Sequence, residues 1–523
     1  MGKLDGFANL GFVQQVSLLD TLETNLATDA LPELIALCEH PLGDEAVDQA
    51  VRDTTGALLR HDGARVCEGL RTGSPVVRRL CLRAAAVVGG EAVVRELERL
   101  AGVEKDPSML ADVLVVVVKV GAKQAPGLLR RYTRHPEPMI AAQAIEGLGT
   151  CRDVGAVKFL ARLVEEAGAD DRYEWCDLPT AAAVEALGKI GGEGALMFLA
   201  EAVHHRNPAV RQLVARQLHR AGEAAVEPLA RQLTESDPDL RILAANALGE
   251  IGLGVAALER VVRSEPEVNV RFAVYEALGK MSNREGLDTL IAGLGDADES
   301  VVLAVVSALD QRGAGAEAVR KILGAGGEGA DRVARALVTA GAEDLLAAAV
   351  VDRAGAERVG SAAQLVGADA VRRRVAEILL GAGHGDLADP VLASVGDTQK
   401  DRPRLLAVDD SKSMLRFYEA VASGLGYAVE TAPDGRAALT LLQLGVRFDL
   451  IVTDLNMPEM DGITLTRELR KLEGLADVPV LMVTTESEGT QVELARKAGV
   501  TGFAVKPLTP QQFGERLEAC RKA

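Results

Sequence analysis

Four apolar runs near the end of the chain stop at residues able to do chemistry. LLAV (405–408) ends in Asp409 and Asp410, LIVT (450–453) in Asp454, VLMV (480–483) in Thr484, and FAV (503–505) in Lys506. Short buried strands read this way when their ends deliver side chains to one edge of a parallel sheet. Three carboxylates gathered there would repel one another unless a cation joined them. Mg2+ suits such a place, because it takes one or two carboxylates and completes its shell with waters and phosphate oxygens. With that charge neutralised, one carboxylate can attack a phosphoryl donor. Thr484 can donate to a phosphoryl oxygen, and Lys506 can supply the counter-charge. The chemistry expected at these strand ends is a divalent cation beside a phosphoryl group.

The elements that would position these residues alternate between strand and helix. Strands are predicted at 404–408, 427–431, 448–453, 479–484 and 501–505, with helices at 412–424, 435–444, 463–472, 488–498 and 510–521. This alternation predicts a doubly wound, flavodoxin-like α/β domain over residues 404–523. In such a sheet, ligands sit beyond the carboxyl ends of the strands, where the strand order reverses.

DD after the first strand, DLNMPEMDG (454–462) after the third, VTT (483–485) after the fourth and KP (506–507) after the fifth form a specific set. With them, 404–523 resembles the receiver domain of two-component response regulators, closest to the chemotaxis single-domain type. The resemblance implies that Asp454 is the phospho-acceptor. It implies that Asp410, with Asp409 assisting, binds Mg2+ together with Asp454 and the Asn456 carbonyl. Thr484 and Phe503 would form the switch pair, and Lys506-Pro507 would carry the family's lysine and cis bond. Phosphorylation would rearrange the face made by helix 488–498, strand 501–505 and helix 510–521. Asn456 and Glu486, two residues after Asp454 and Thr484, match fast-relaxing chemotaxis receivers, so self-dephosphorylation is expected in seconds to minutes. None of the seven histidines lies in a phosphotransfer motif and none follows His384. The donor is therefore expected in trans, from a histidine kinase or a small phosphodonor.

The first part of the chain follows a different period. Arg211, Arg241 and Arg271 recur every 30 residues, as do Leu218, Leu248 and Leu278, with Leu309 following after 31. Each unit reads as two helices. In the second helix of one unit, Leu240, Leu243, Ala244, Ala247, Leu248 and Ile251 form a single apolar stripe. Asp237 is expected as its N-cap, Pro238 at its first position and Gly252 at its end. Two such helices cannot bury the stripe alone, so the units must stack into a solenoid. The repeats resemble HEAT repeats, particularly the short HEAT-like repeats of phycobilin lyases. About 11–12 units are expected within an all-α solenoid over 1–395, then a linker at 396–403. The repeat arginines are expected to pair with acids of neighbouring repeats. GAGGEG (324–329) matches a dinucleotide-binding glycine pattern, but it follows a helix and reads as a turn. An insertion at 165–179 stretches one repeat to 39 residues and carries Tyr173 and the only tryptophan, Trp175. It is a candidate partner loop, or a loop whose Trp packs back on its own repeat.

Charge and composition narrow the function further. The net charge is −18, with 44 basic and 59 acidic residues before Arg404 and 14 and 17 from there on. That balance argues against sequence-independent nucleic-acid binding. The six cysteines are scattered without metal-type spacing and read as reduced thiols. No apolar run is long enough to span a membrane and the N-terminal stretch lacks a signal-peptide layout, so a cytoplasmic protein without membrane insertion is expected. The expected function is a response regulator, not an enzyme, phosphorylated by a histidine kinase, with the solenoid binding an unknown protein partner. Two alternatives stay open: a constitutive scaffold whose receiver docks a kinase or acts as a phosphate sink, and a bilin lyase-like enzyme suggested by the repeat type alone.

Overall fold

A computed structural model of the chain describes residues 3–121, 124–167, 176–281, 284–366, 369–395, 402–457, 459–484, 490–506 and 508–522. Tyr173 and Trp175 of the partner-loop candidate, Glu486, Pro507 and most of the linker (396–401) lie outside the described residues. The chain forms two compact units, one up to Ala195 and one from Leu196 onward. The division falls inside the repeats and leaves the later repeats in one unit with the α/β domain.

The first unit is a stack of helices with local signals at their ends. The Ser74 hydroxyl caps Pro75–Val88 and the Asp177 carboxylate caps Leu178–Ile190, each with proline in the first turn. Pro138–Thr150 packs directly on Leu178–Ile190, and a Cβ added at Gly149 would lie 2.7 Å from the Ala186 Cα. The same close approach recurs in the second unit, where a Cβ at Gly249 would meet the Ala277 Cα at 2.9 Å and one at Gly279 the Ala308 Cβ at 2.7 Å. The chain's richness in Ala and Gly thus has a structural cause. Successive helices touch backbone to backbone, which larger residues would prevent.

In the second unit the helices Pro208–Ala221, Pro238–Ile251, Val268–Gly279, Glu299–Gln311 and Glu328–Ala340 lie side by side. Asp237 caps the second of them and Gly252 ends it in the left-handed region at φ 76°. Leu218, Leu248, Leu278 and Leu309 are all buried between layers, each worth about 1.5–3 kcal/mol over the exposed side chain. GAGGEG joins the helices Ala316–Ala325 and Glu328–Ala340 and is a turn, as expected.

The arginine ladder holds at two of three rungs. Arg241 makes a two-pronged ion pair with Glu265 (2.9 and 3.0 Å), and Arg271 does the same with Asp296 (2.9 and 3.1 Å). Arg211 does not follow. Like the other two it donates to the carbonyls five and six residues before it. Its free prong passes over Glu235, which stands at the Glu265 position, and reaches Asn456 of the α/β domain instead (3.0 Å).

The α/β domain is a parallel sheet of β1 (Arg404–Val408), β2 (Ala428–Ala432), β3 (Leu450–Asp454), β4 (Val480–Thr484) and β5 (Gly502–Val505). Its spatial order is β2-β1-β3-β4-β5. The order reverses between β1 and β3. Val408 pairs with Thr453, so Asp409 leaves the sheet beside Asp454. Thr484 pairs with Val505, which sets Lys506 one step beyond the hydroxyl. No helix among the described residues is long and apolar enough to cross a membrane. The cysteines are free thiols.

Candidate phosphoryl and metal site

Asp409 is fully buried, and its carboxylate accepts three hydrogen bonds: Ser411 N–H (2.9 Å) and, on the other oxygen, Tyr418 O–H (3.0 Å) and Lys506 Nζ (2.9 Å). Asp454 is buried beside it. One of its oxygens meets Lys506 Nζ at 2.8 Å and the other accepts from the Asn456 N–H at 2.9 Å. Gly462 makes this packing possible, since a Cβ there would lie 2.1 Å from the Asp454 carbonyl oxygen. Burial alone would lower the Lys506 ammonium, but Asp409 and Asp454 outweigh it and hold the group well above an ordinary lysine. Burial pushes the Asp454 carboxyl up to about 6 against the pull of Lys506. Asp410 has surface open to the cleft yet is ringed by protein. That burial, with the charges of Asp409 and Asp454, pushes it up to about 8.

Among the described residues, three carboxylates gather at the Lys506 ammonium, with Lys280 of the repeats acting on Asp410 from further off, and the excess negative charge suits a divalent cation. Among the described residues, no three His, Cys, Asp or Glu side chains are already drawn together as a metal cage. Mg2+ keeps several waters and asks for only one or two carboxylates. Asp410, Asp454 and the Asn456 carbonyl could hold it. Asp409 holds Lys506 through one oxygen, and its other oxygen accepts only the Ser411 N–H, which leaves it able to assist at the cation. Thr484 lies buried at the end of β4. Phe503 on β5 is half-buried with the Arg496 guanidinium 5.8 Å from its ring centre.

The site has a wall that sequence reasoning did not find. The cavity at Asp454, about 80 Å³, is lined on its other side by repeat helices, including Asn246, Asn269, Glu276 and Ser300. The Ser411 hydroxyl donates to Glu276, and Asn269 donates to the Lys506 carbonyl. Arg211 holds the Asn456 side chain and lies 3.9 Å from Asp461. Arg416, on the helix Lys412–Gly424, donates to the Ala340 carbonyl and lies 3.9 Å from Asp310. The face expected to rearrange on phosphorylation was helix 488–498, strand 501–505 and helix 510–521, with no contact face to the repeats specified. The bonds to the repeats run through the strand-end loops and Lys412–Gly424, because the polar ridge of the repeats meets the open edge of the sheet. A signal was present in the repeat register. Asn246 and Glu276 occupy equivalent positions, as do Asn269 and Ser300, and all are polar.

Residues 405–518 match the response regulator receiver domain family, and residues 176–249, 197–263 and 255–342 match HEAT repeats. The chemotaxis protein CheY of Pseudomonas aeruginosa is 44% identical over 116 residues, which span 22% of this chain and 93% of that protein. The chain belongs to the response regulator receiver family. CheY1 of Helicobacter pylori is 40% identical over 116 residues, covering 22% of this chain and 94% of its own length. Among solved structures, the receiver matches CheY4 of Vibrio cholerae at 37% identity and a TM-score of 0.22, covering 23% of this chain and 98% of that one. It also matches the receiver domain of a Pseudomonas aeruginosa sensor histidine kinase with a magnesium ion coordinated in its active site cleft, at 27% identity and a TM-score of 0.22, covering 23% and 99%. The protein thus joins HEAT repeats to a receiver domain.

Proposed function

We propose that this protein is a two-component response regulator phosphorylated on Asp454 by a histidine kinase in trans, with the solenoid up to residue 395 as its protein-binding output. The observation that carries this reading is the Asp454 carboxylate, held between the Lys506 ammonium and the Asn456 amide with Asp410 beside it. Lys506 and the Asn456 N–H orient Asp454 so that an oxygen can attack the phosphorus in line. The bond from phosphorus to the donor nitrogen breaks, and the imidazole leaves with its proton. Bound Mg2+, held by Asp410, Asp454 and the Asn456 carbonyl, would supply charge neutralisation on the phosphoryl oxygens. Lys506 keeps a fixed positive charge beside the new aspartyl phosphate, and Thr484 moves to donate to it as Phe503 turns inward. Asn456 and Glu486 set how fast water removes the phosphoryl group.

Incubation with phosphoramidate and Mg2+, followed by intact mass analysis, tests this reading. The wild-type chain should gain one phosphoryl mass and lose it within minutes after the donor is removed, whereas Asp454→Ala should gain none. A label on Asp454→Ala, or one stable for many hours with Mg2+ present, would contradict it. The scaffold reading separates in a second assay. Solenoid partners captured equally by wild type and Asp454→Ala would favour a constitutive scaffold.

A further inference from the structure

The pocket around Asp454 belongs to two domains. Its floor is the strand-end edge of the receiver, and its roof is the helices Pro238–Ile251, Val268–Gly279 and Glu299–Gln311. Four side-chain bonds fasten the two together, from Arg211 to Asn456, Asn269 to the Lys506 carbonyl, Ser411 to Glu276 and Arg416 to the Ala340 carbonyl. They engage the loops after β1, β3 and β5 and the helix that follows β1. These are the parts of a receiver that a phosphodonor must pass to reach Asp454. The cavity of about 80 Å³ has room for several waters, and the repeat helices stand over the strand ends where a donor protein has to seat to bring a phosphorus atom within attack distance.

Electrostatics point the same way. Glu276 faces into the pocket and is tied to Ser411, next to Asp410. Burial raises the Glu276 carboxyl above the ordinary carboxylate range, and a phosphoryl group on Asp454 would place added negative charge in this poorly solvated space without the water that screens it elsewhere. Lys506 is already shared between Asp409 and Asp454, and Arg211 is committed to Asn456. The roof sets the Glu276 carboxyl and the uncharged Asn246, Asn269 and Ser300 against the phosphoryl group, while the nearby Lys280 ammonium is tied to Glu250.

We propose that the repeat helices carrying Asn269 and Glu276 are a removable wall of the phosphorylation pocket, so that docking of the receiver on the solenoid and phosphorylation of Asp454 oppose one another. The surface is the polar ridge of the repeats, and its occupant is the unphosphorylated receiver of the same chain. This rests on the reading of Asp454 as the acceptor. By reciprocity, whatever the phosphoryl group loses to the docked wall, docking loses to the phosphoryl group. Weakening the dock raises the undocked fraction, in which the strand-end edge is open to a donor of any size and no longer faces the roof, and so speeds phosphorylation.

The test measures the rate of labelling of the full chain by phosphoramidate with Mg2+, by intact mass. In the reaction Asp454 takes the phosphoryl group as the nitrogen–phosphorus bond breaks and ammonia leaves. Arg416→Ala and Asn269→Ala each remove one fastening without touching an acceptor or metal-binding side chain, and Arg416 is exposed enough for its variant to fold. Each should label at least about threefold faster than wild type, as expected when the open fraction rises from a minority state. Equal rates in all three chains, or slower labelling of both variants, would overturn the proposal while leaving Asp454 as acceptor. No label in any of them would overturn it together with the reading on which it rests.

Discussion

Lys506 stands between two buried carboxylates, 2.9 Å from Asp409 and 2.8 Å from Asp454. Among the described residues its ammonium is the positive charge that touches both, in a place where an unpaired charge is costly. Lys506→Ala would leave that pair uncompensated. We expect the receiver to lose about 3–5 kcal/mol, read as a lower urea midpoint for its unfolding, and the phosphoramidate label to be lost. An unchanged midpoint would mean that solvent or a neighbouring group already neutralises the pair. The acids, hydroxyl and lysine of this site were legible in the sequence, because each ends an apolar run and strand geometry then fixes where it points. The hydrogen bonds that hold Asp409 were not, because they come from Tyr418 and the Ser411 amide, and tertiary packing decides that.

At the scale of elements, the 30-residue period predicted paired helices, their caps and the turn at GAGGEG. Register also predicted the arginine ladder, and Arg241 and Arg271 obey it. The nearly enclosed Arg241–Glu265 pair has side chains only 11% and 5% exposed, so Glu265→Gln should cost about 3 kcal/mol by stranding the guanidinium. The exposed Arg374–Glu377 pair should yield less than about 1 kcal/mol when Glu377 is changed to Gln. Thermal or urea unfolding of both variants checks the contrast, and equal losses would refute it. Arg211 shows where periodicity stops informing. It has the same neighbours in sequence as the other two, and an acid at the equivalent place, yet it turns to Asn456 because the receiver stands there. No repeat pattern encodes which surface a second domain will cover.

For the molecule as a whole, the strand-end edge of the receiver is set against the repeats, and Arg402, at the end of the linker span, is paired with Asp369 of the last repeats at 3.0 Å. On the proposed reading, the solenoid would sense the state of Asp454 without an intermediary, since the pocket at Asp454 is also the joint between the two. The most direct measurement is amide hydrogen exchange of the full chain with Mg2+, with and without beryllofluoride as a phosphoryl mimic, followed over the helix Val268–Gly279. The account predicts faster exchange there when beryllofluoride is bound and no change in Asp454→Ala. Unchanged exchange in a wild-type chain shown by mass analysis to carry the mimic would contradict it.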